Sequence, residues 1–278
     1  MCTSNITRKK FCKLLGEVYF YNIIIWCLFF FTGYETFSMK EFLKILFPFF
    51  TIADNFTACF LLFYLLIPFL NKLVHALTEK EHFLLLAWCM GVYVVLPSFV
   101  MTSLKFNYIT WFCIIYFVAA YIRLYPCKWM ANKKITLAIA IISLELSWLS
   151  IIAIAIMKRK TGIDLGFGYF FVMDCNKILA FVTSISMFLC FKNANVKYNK
   201  WINTMAAATF GVFLIHANSD SMRRWLWKDL LNNVNAYESG NGVGHALISV
   251  IVVYIICSLV DILRIQLIEP IFIKSVTK

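Results

Sequence analysis

The stretch that decides the fold is Ile135 to Met157, ITLAIAIISLELSWLSIIAIAIM, in which Glu145 is the one charged residue. A helix needs about 20 apolar residues to cross the hydrocarbon of a bilayer, and this run supplies them without a break. Similar runs flank it on both sides. The spacing predicts eight spans, at Gly16 to Gly33, Asn55 to Leu70, His82 to Val100, Tyr108 to Leu124, Ile135 to Met157, Phe171 to Phe191, Trp201 to His216 and His245 to Leu267. The expected fold class is all-α, a polytopic transmembrane helix bundle forming a single domain over residues 1–278.

Composition agrees. The chain is 62% hydrophobic and only 14% charged, whereas a soluble domain carries about 25% charged residues. The net charge of +12 would raise nucleic-acid binding for a soluble protein. Here no basic block is interleaved with aromatics in a polar module, so no nucleic-acid partner is expected. Most basic residues instead fall in alternate loops, which the positive-inside rule assigns to the cytoplasm. That rule and an even number of spans put both termini inside. The expected location is the cell membrane, with the bilayer itself as a partner.

Ten cysteines are present, most of them inside apolar runs (Cys27, Cys59, Cys89, Cys113, Cys190, Cys257), and no CxxC pair occurs. Neither a disulfide framework nor a metal site is expected. Arg8, Lys9, Lys10 and Lys13 precede an apolar run without a small-residue cleavage site, so that run reads as a retained span. Met39 to Thr51, MKEFLKILFPFFT, alternates Lys40, Glu41 and Lys44 with apolar residues and ends at Pro48. It is expected to lie in the membrane interface.

Chemistry concentrates in Met205 to Trp227, MAAATFGVFLIHANSDSMRRWLW. An apolar, small-residue helix ends in His216 and is followed at once by Asn218, Asp220, Arg223, Arg224 and Trp227. His216 suits a general base, because imidazole titrates near operating pH. It equally suits a rim position bonded to a neighbouring helix. The arginine fork fits phosphates and carboxylates, while Trp225 and Trp227 also fit an interfacial belt. Glu145 within a span is expected to face a bundle interior or a water-filled cavity, or to bond Ser143 or Ser147 as a neutral group. Asp261 and Arg264 share a helix face and are expected to pair. Asp174, Asn176 and Lys177 open the sixth span as candidates to line a cavity. Arg123 ends the fourth span, free to snorkel or to meet an anionic ligand. No P-loop, dinucleotide fingerprint, GxSxG elbow or HExxH occurs, which argues against nucleotide-binding and soluble-hydrolase classes.

Four segments in order resemble the integral-membrane acyltransferase 3 family. They are FLLFYLLIPFLNKLVHAL (Phe60 to Leu77), IIYFVAAYIRLYP (Ile114 to Pro126), TFGVFLIHANSDSMRRWLW (Thr209 to Trp227) and VDILRIQLIEP (Val260 to Pro270). The resemblance runs from about Lys10 to Pro270. It implies transfer of an acyl group, often acetyl in this family, from acyl-coenzyme A to a sugar hydroxyl of an exported polysaccharide or glycolipid. Acetyl-CoA would be a co-substrate rather than a bound cofactor, and a glycan or glycolipid the acceptor. The family's R-x10-H element in its first helix has no counterpart here, and its usual ten spans exceed the eight expected. The expectation is a chain N-terminally incomplete relative to the family. At Asp54-Asn55-Phe56 the chain also departs from the family's aromatic-tryptophan pair.

The residues therefore carry three readings. An O-acyltransferase would use His216 as the catalytic group, with Arg123, Glu145, Asn218, Arg223, Arg224 and Trp227 meeting substrate or acyl donor. A transporter or flippase for an anionic or lipid-linked substrate would use Glu145, Arg123 and the rim arginines as pathway groups, and would favour internal repeats. A non-catalytic membrane component would tolerate alanine at His216, Arg223 and Glu145.

Overall fold

A computed structural model describes residues 8–47, 55–99, 107–162 and 168–276. Every regular element among them is a helix. Five are long and apolar enough to cross a membrane: α1 (Lys9–Phe31 of the helix Arg8–Phe31), α3 (Phe56–Ala76), α4 (Glu79–Phe99), α7 (Lys133–Thr161) and α13 (Gly242–Leu267). Two shorter apolar helices join them, α5 (Tyr108–Leu124) and α8 (Ile178–Lys192). The remaining helices are α2 (Met39–Leu46), α6 (Lys128–Ala131), α9 (Lys200–Ala207), α10 (Thr209–His216), α11 (Asp220–Leu230, its second half a π-helical turn), α12 (Asn233–Glu238) and α14 (Glu269–Val276).

Local chemistry sets the helix ends. Asn107, Asn132 and Asn199 each turn a side-chain oxygen onto first-turn N–H groups of α5, α7 and α9, satisfying donors with no helical partner. Thr78 and Glu81 close a reciprocal capping box at α4. Gly162, at φ +69°, ends α7 in the left-handed conformation that glycine adopts without strain. Of the interfacial segment, Met39–Leu46 is helical with no buried residue. Pro48 to Thr51 lie outside the described residues, as do Asp54, Lys105 and residues 163–167.

The chain divides into two compact units, Leu65–Val196 and Ile6–Tyr64 together with Lys197–Lys278. Helix α3 carries the chain from one to the other. In the first unit, α7 and α8 pack along each other and α4 packs on α5. Val94, Trp111 and Ile114 form one core there, and Val118, Ile122 and Leu189 another.

In the second unit α1 contacts α2, α10 and α14, while α10 also packs on α13. Val18, Tyr21, Ile25, Phe29, Leu61, Leu214 and Met222 form its main core. Lipid is as apolar as these side chains, so close packing and polar contacts hold helices together inside a bilayer. Gly211 supplies such an approach: a Cβ there would overlap the carboxyl group of Asp261 on α13. The expected seventh span is two eight-residue helices that meet at the buried Ala208.

Candidate active site

Two polar clusters lie in the second unit, and both use α1 as a wall. The first surrounds His216, the last residue of α10. A helix end leaves carbonyls without N–H partners, and here side chains take them. His216 Nδ1 is 2.6 Å from the Val212 carbonyl oxygen, and Asn218 Nδ2 donates to the Leu214 carbonyl at 3.2 Å. A carbonyl only accepts, so Nδ1 carries the hydrogen. In the neutral ring the lone pair is then on Nε2. The half-buried imidazole sits edge-on to Phe213 and Trp227, with ring centroids 6.2 Å and 6.5 Å away. These contacts fix its plane.

Asn218 also donates to Asn22 Oδ1 on α1 at 3.0 Å, tying the loop after His216 to that wall. Further along, Ser219 caps α11 by accepting from the Met222 N–H. Arg223 is ion-paired with Asp220 at the surface, so its charge is already engaged. Arg224 is exposed. Tyr34 Oη donates to Asp229 Oδ2 at 2.5 Å. That bond to a carboxylate holds the phenol above its usual pKa, against the opposing charge of Arg224. Trp227 packs against the core of Val212, Leu226, Val253 and Cys257. Its ring therefore helps anchor the segment.

The second cluster is buried. Arg264 Nε donates to Asp261 Oδ1 at 2.6 Å, the pairing expected from their spacing. Its Nη2 lies 2.9 Å from Glu17 Oε1, and Nη1 reaches Glu269 at 3.5 Å. Tyr21 Oη donates to Asp261 Oδ1 at 2.7 Å, and Lys13 pairs with Glu269 at 2.6 Å. Glu17 and Tyr21 carry no sequence signal for this role, because 240 residues separate Tyr21 from Asp261. Tyr21 and Asn22 are neighbours about 100° apart around α1. One faces the buried cluster and the other the histidine loop.

In the first unit, Arg123 ends α5 and is exposed, where its charge complements the helix dipole. Glu145 on α7 is exposed and so does not face the interior of its own unit. Ser143 and Ser147 donate instead to the Ala140 and Ser143 carbonyls of their own helix, and Glu145 bonds neither. Asn176 and Lys177 also differ from expectation, because their donors are consumed by α4. Pro97 brings no N–H to the carbonyl one turn back. Asn176 Nδ2 donates to that Tyr93 carbonyl at 2.9 Å, and Lys177 Nζ to the Pro97 carbonyl at 2.7 Å.

His82 is a histidine the sequence reading leaves unassigned. It is fully buried, its Nε2–H donates to the Phe117 carbonyl at 3.1 Å, and Phe117, Tyr121 and Tyr125 surround the ring edge-on.

These features define an all-helical membrane protein with a polar rim around an oriented histidine and a buried ion cluster beside it. A family model described as an acyltransferase domain matches residues 3–262, and the chain belongs to that family, acyltransferase 3. No curated protein and no solved structure matches it significantly.

Proposed function

We propose that this chain is a membrane O-acyltransferase that moves an acetyl group from acetyl-coenzyme A to a sugar hydroxyl of a cell-envelope or exported polysaccharide. The observation that carries this reading is the tautomer of His216. With Nδ1–H committed to the Val212 carbonyl, Nε2 is the atom able to take a proton. Membership of an acyltransferase family supplies the reaction class.

In this mechanism the acceptor O–H hydrogen-bonds to His216 Nε2. As the hydroxyl oxygen bonds to the thioester carbonyl carbon, its proton passes to Nε2. The C–O bond forms, the C–S bond breaks, and the Nε2–H of the imidazolium gives its proton to the departing coenzyme A thiolate, which regenerates the neutral base. The Val212 carbonyl, accepting from Nδ1–H, stabilises the imidazolium. Arg224, whose charge is not consumed by a salt bridge in the way Arg223's is, contacts an anionic group of the acceptor.

The test is acetyl incorporation. Membranes containing this chain, given labelled acetyl-CoA and de-O-acetylated envelope polysaccharide, transfer label to the glycan, and membranes lacking the chain do not. Equal incorporation in both would overturn the proposal.

A further inference from the structure

The buried cluster of the second unit carries more negative than positive charge. Three carboxyls (Glu17, Asp261, Glu269) face two cations, Lys13 and Arg264. Lys13 is half exposed, so water reaches the outer pair. The side chains of Glu17 and Asp261 are 8% and 0% exposed and share one guanidinium. An uncompensated charge in such a place is costly, and a carboxyl group relieves it by keeping its proton.

The two inner carboxyls differ in their partners. Asp261 Oδ1 accepts from both Tyr21 Oη and Arg264 Nε, bonds that favour the anion. Glu17 Oε1 is close to Arg264 but lacks hydrogen-bond alignment, and it has no hydrogen-bond partner among the described residues. Asp261 Oδ2 likewise has no donor among them. Two buried carboxyl oxygens thus lack a donor, and a protonated carboxyl is itself a donor.

We propose that Glu17 is a proton-binding site, neutral while Asp261 is the anion paired with Arg264. The groups facing it are Lys13 and Tyr21 from α1, Asp261 and Arg264 from α13, and Glu269 from α14. From helix α10, Gly211 lies against Asp261. Loss of the proton sets a second carboxylate in competition for Arg264 and loosens Asp261. The occupancy of the site is thereby linked to the seat of the helix that ends in His216. The use of that link in catalysis rests on the acyl-transfer reading above.

Infrared difference spectroscopy of the full chain in lipid nanodiscs tests the site directly. At neutral pH the protein shows the carbonyl stretch of a buried protonated carboxyl. The band disappears in Glu17→Gln and persists in Glu269→Gln. Glu17→Gln, which has the shape and neutrality of the protonated side chain, melts within about 2 °C of the parent, whereas Glu17→Ala falls further. A spectrum without the band, a band unchanged in Glu17→Gln, or a Glu17→Gln protein as unstable as Glu17→Ala overturns the proposal. None of these readouts involves acyl transfer, so a failure of the transferase reading leaves them standing.

Discussion

Gly211 lies directly against the carboxyl group of Asp261, and any Cβ at 211 would occupy the same space. The glycine of the TFGVFLIH segment thus makes room for the buried anion that holds Arg264. Gly211→Ala is expected to displace Asp261 from its donors. Breaking a buried ion pair costs about 3–5 kcal/mol, which lowers the melting temperature by roughly 10 °C. Thermal unfolding in detergent, followed by circular dichroism, measures it.

Arg264 joins α1, α13 and α14 through three carboxyls. Arg264→Leu leaves the buried Asp261 without its cation and is expected to destabilise by about 3–5 kcal/mol, whereas replacing Glu17, Asp261 and Arg264 together by leucine is expected to recover most of that loss. Chemical denaturation of the two variants side by side gives the comparison. A triple variant no better than the single would show that the cluster contributes net stability of its own.

Asn176 compensates for Pro97. Asn176→Ala removes the donor to the Tyr93 carbonyl and is expected to cost about 1–3 kcal/mol, the penalty of an unsatisfied buried group. In a Pro97→Ala background the new N–H satisfies that carbonyl, and the cost shrinks. A double-mutant cycle on unfolding free energies reads the coupling, with additivity the contrary result.

Glu145 is exposed on α7 between the exposed Leu144 and Leu146. A carboxyl group in such a span is costly. Glu145→Leu is expected to leave the fold intact and raise the melting temperature by a few degrees, roughly the effect of 1 kcal/mol. A fall in melting temperature is the contrary result.

The helices themselves were legible in the sequence because apolar length alone announces a span. Their ends were less so. Helix α7 begins at Lys133 and runs to Thr161, beyond the apolar run, because Asn132 caps it and Gly162 stops it. The sixth apolar run opens at Phe171, yet its helix begins at Ile178, since Asn176 and Lys177 are spent on carbonyls of α4. The Asp261–Arg264 pair follows from i, i+3 spacing, a local rule. Glu17 and Tyr21 join it only through tertiary packing, which no local pattern encodes. For Glu145 the expected bond to a neighbouring serine is not made, because Ser143 and Ser147 donate to carbonyls of their own helix. His216 was visible by its position at a helix end, but its tautomer needed the Val212 carbonyl.

The central claim is that His216 Nε2 takes the acceptor's proton. The most direct measurement is acetyl transfer from labelled acetyl-CoA by reconstituted protein, comparing the parent chain with His216→Ala and His216→Gln at matched folded amounts. Loss of a general base predicts a fall in kcat of about 10²–10⁴-fold in both variants, with little change in melting temperature. Transfer at the parental rate by folded His216→Ala would contradict the account.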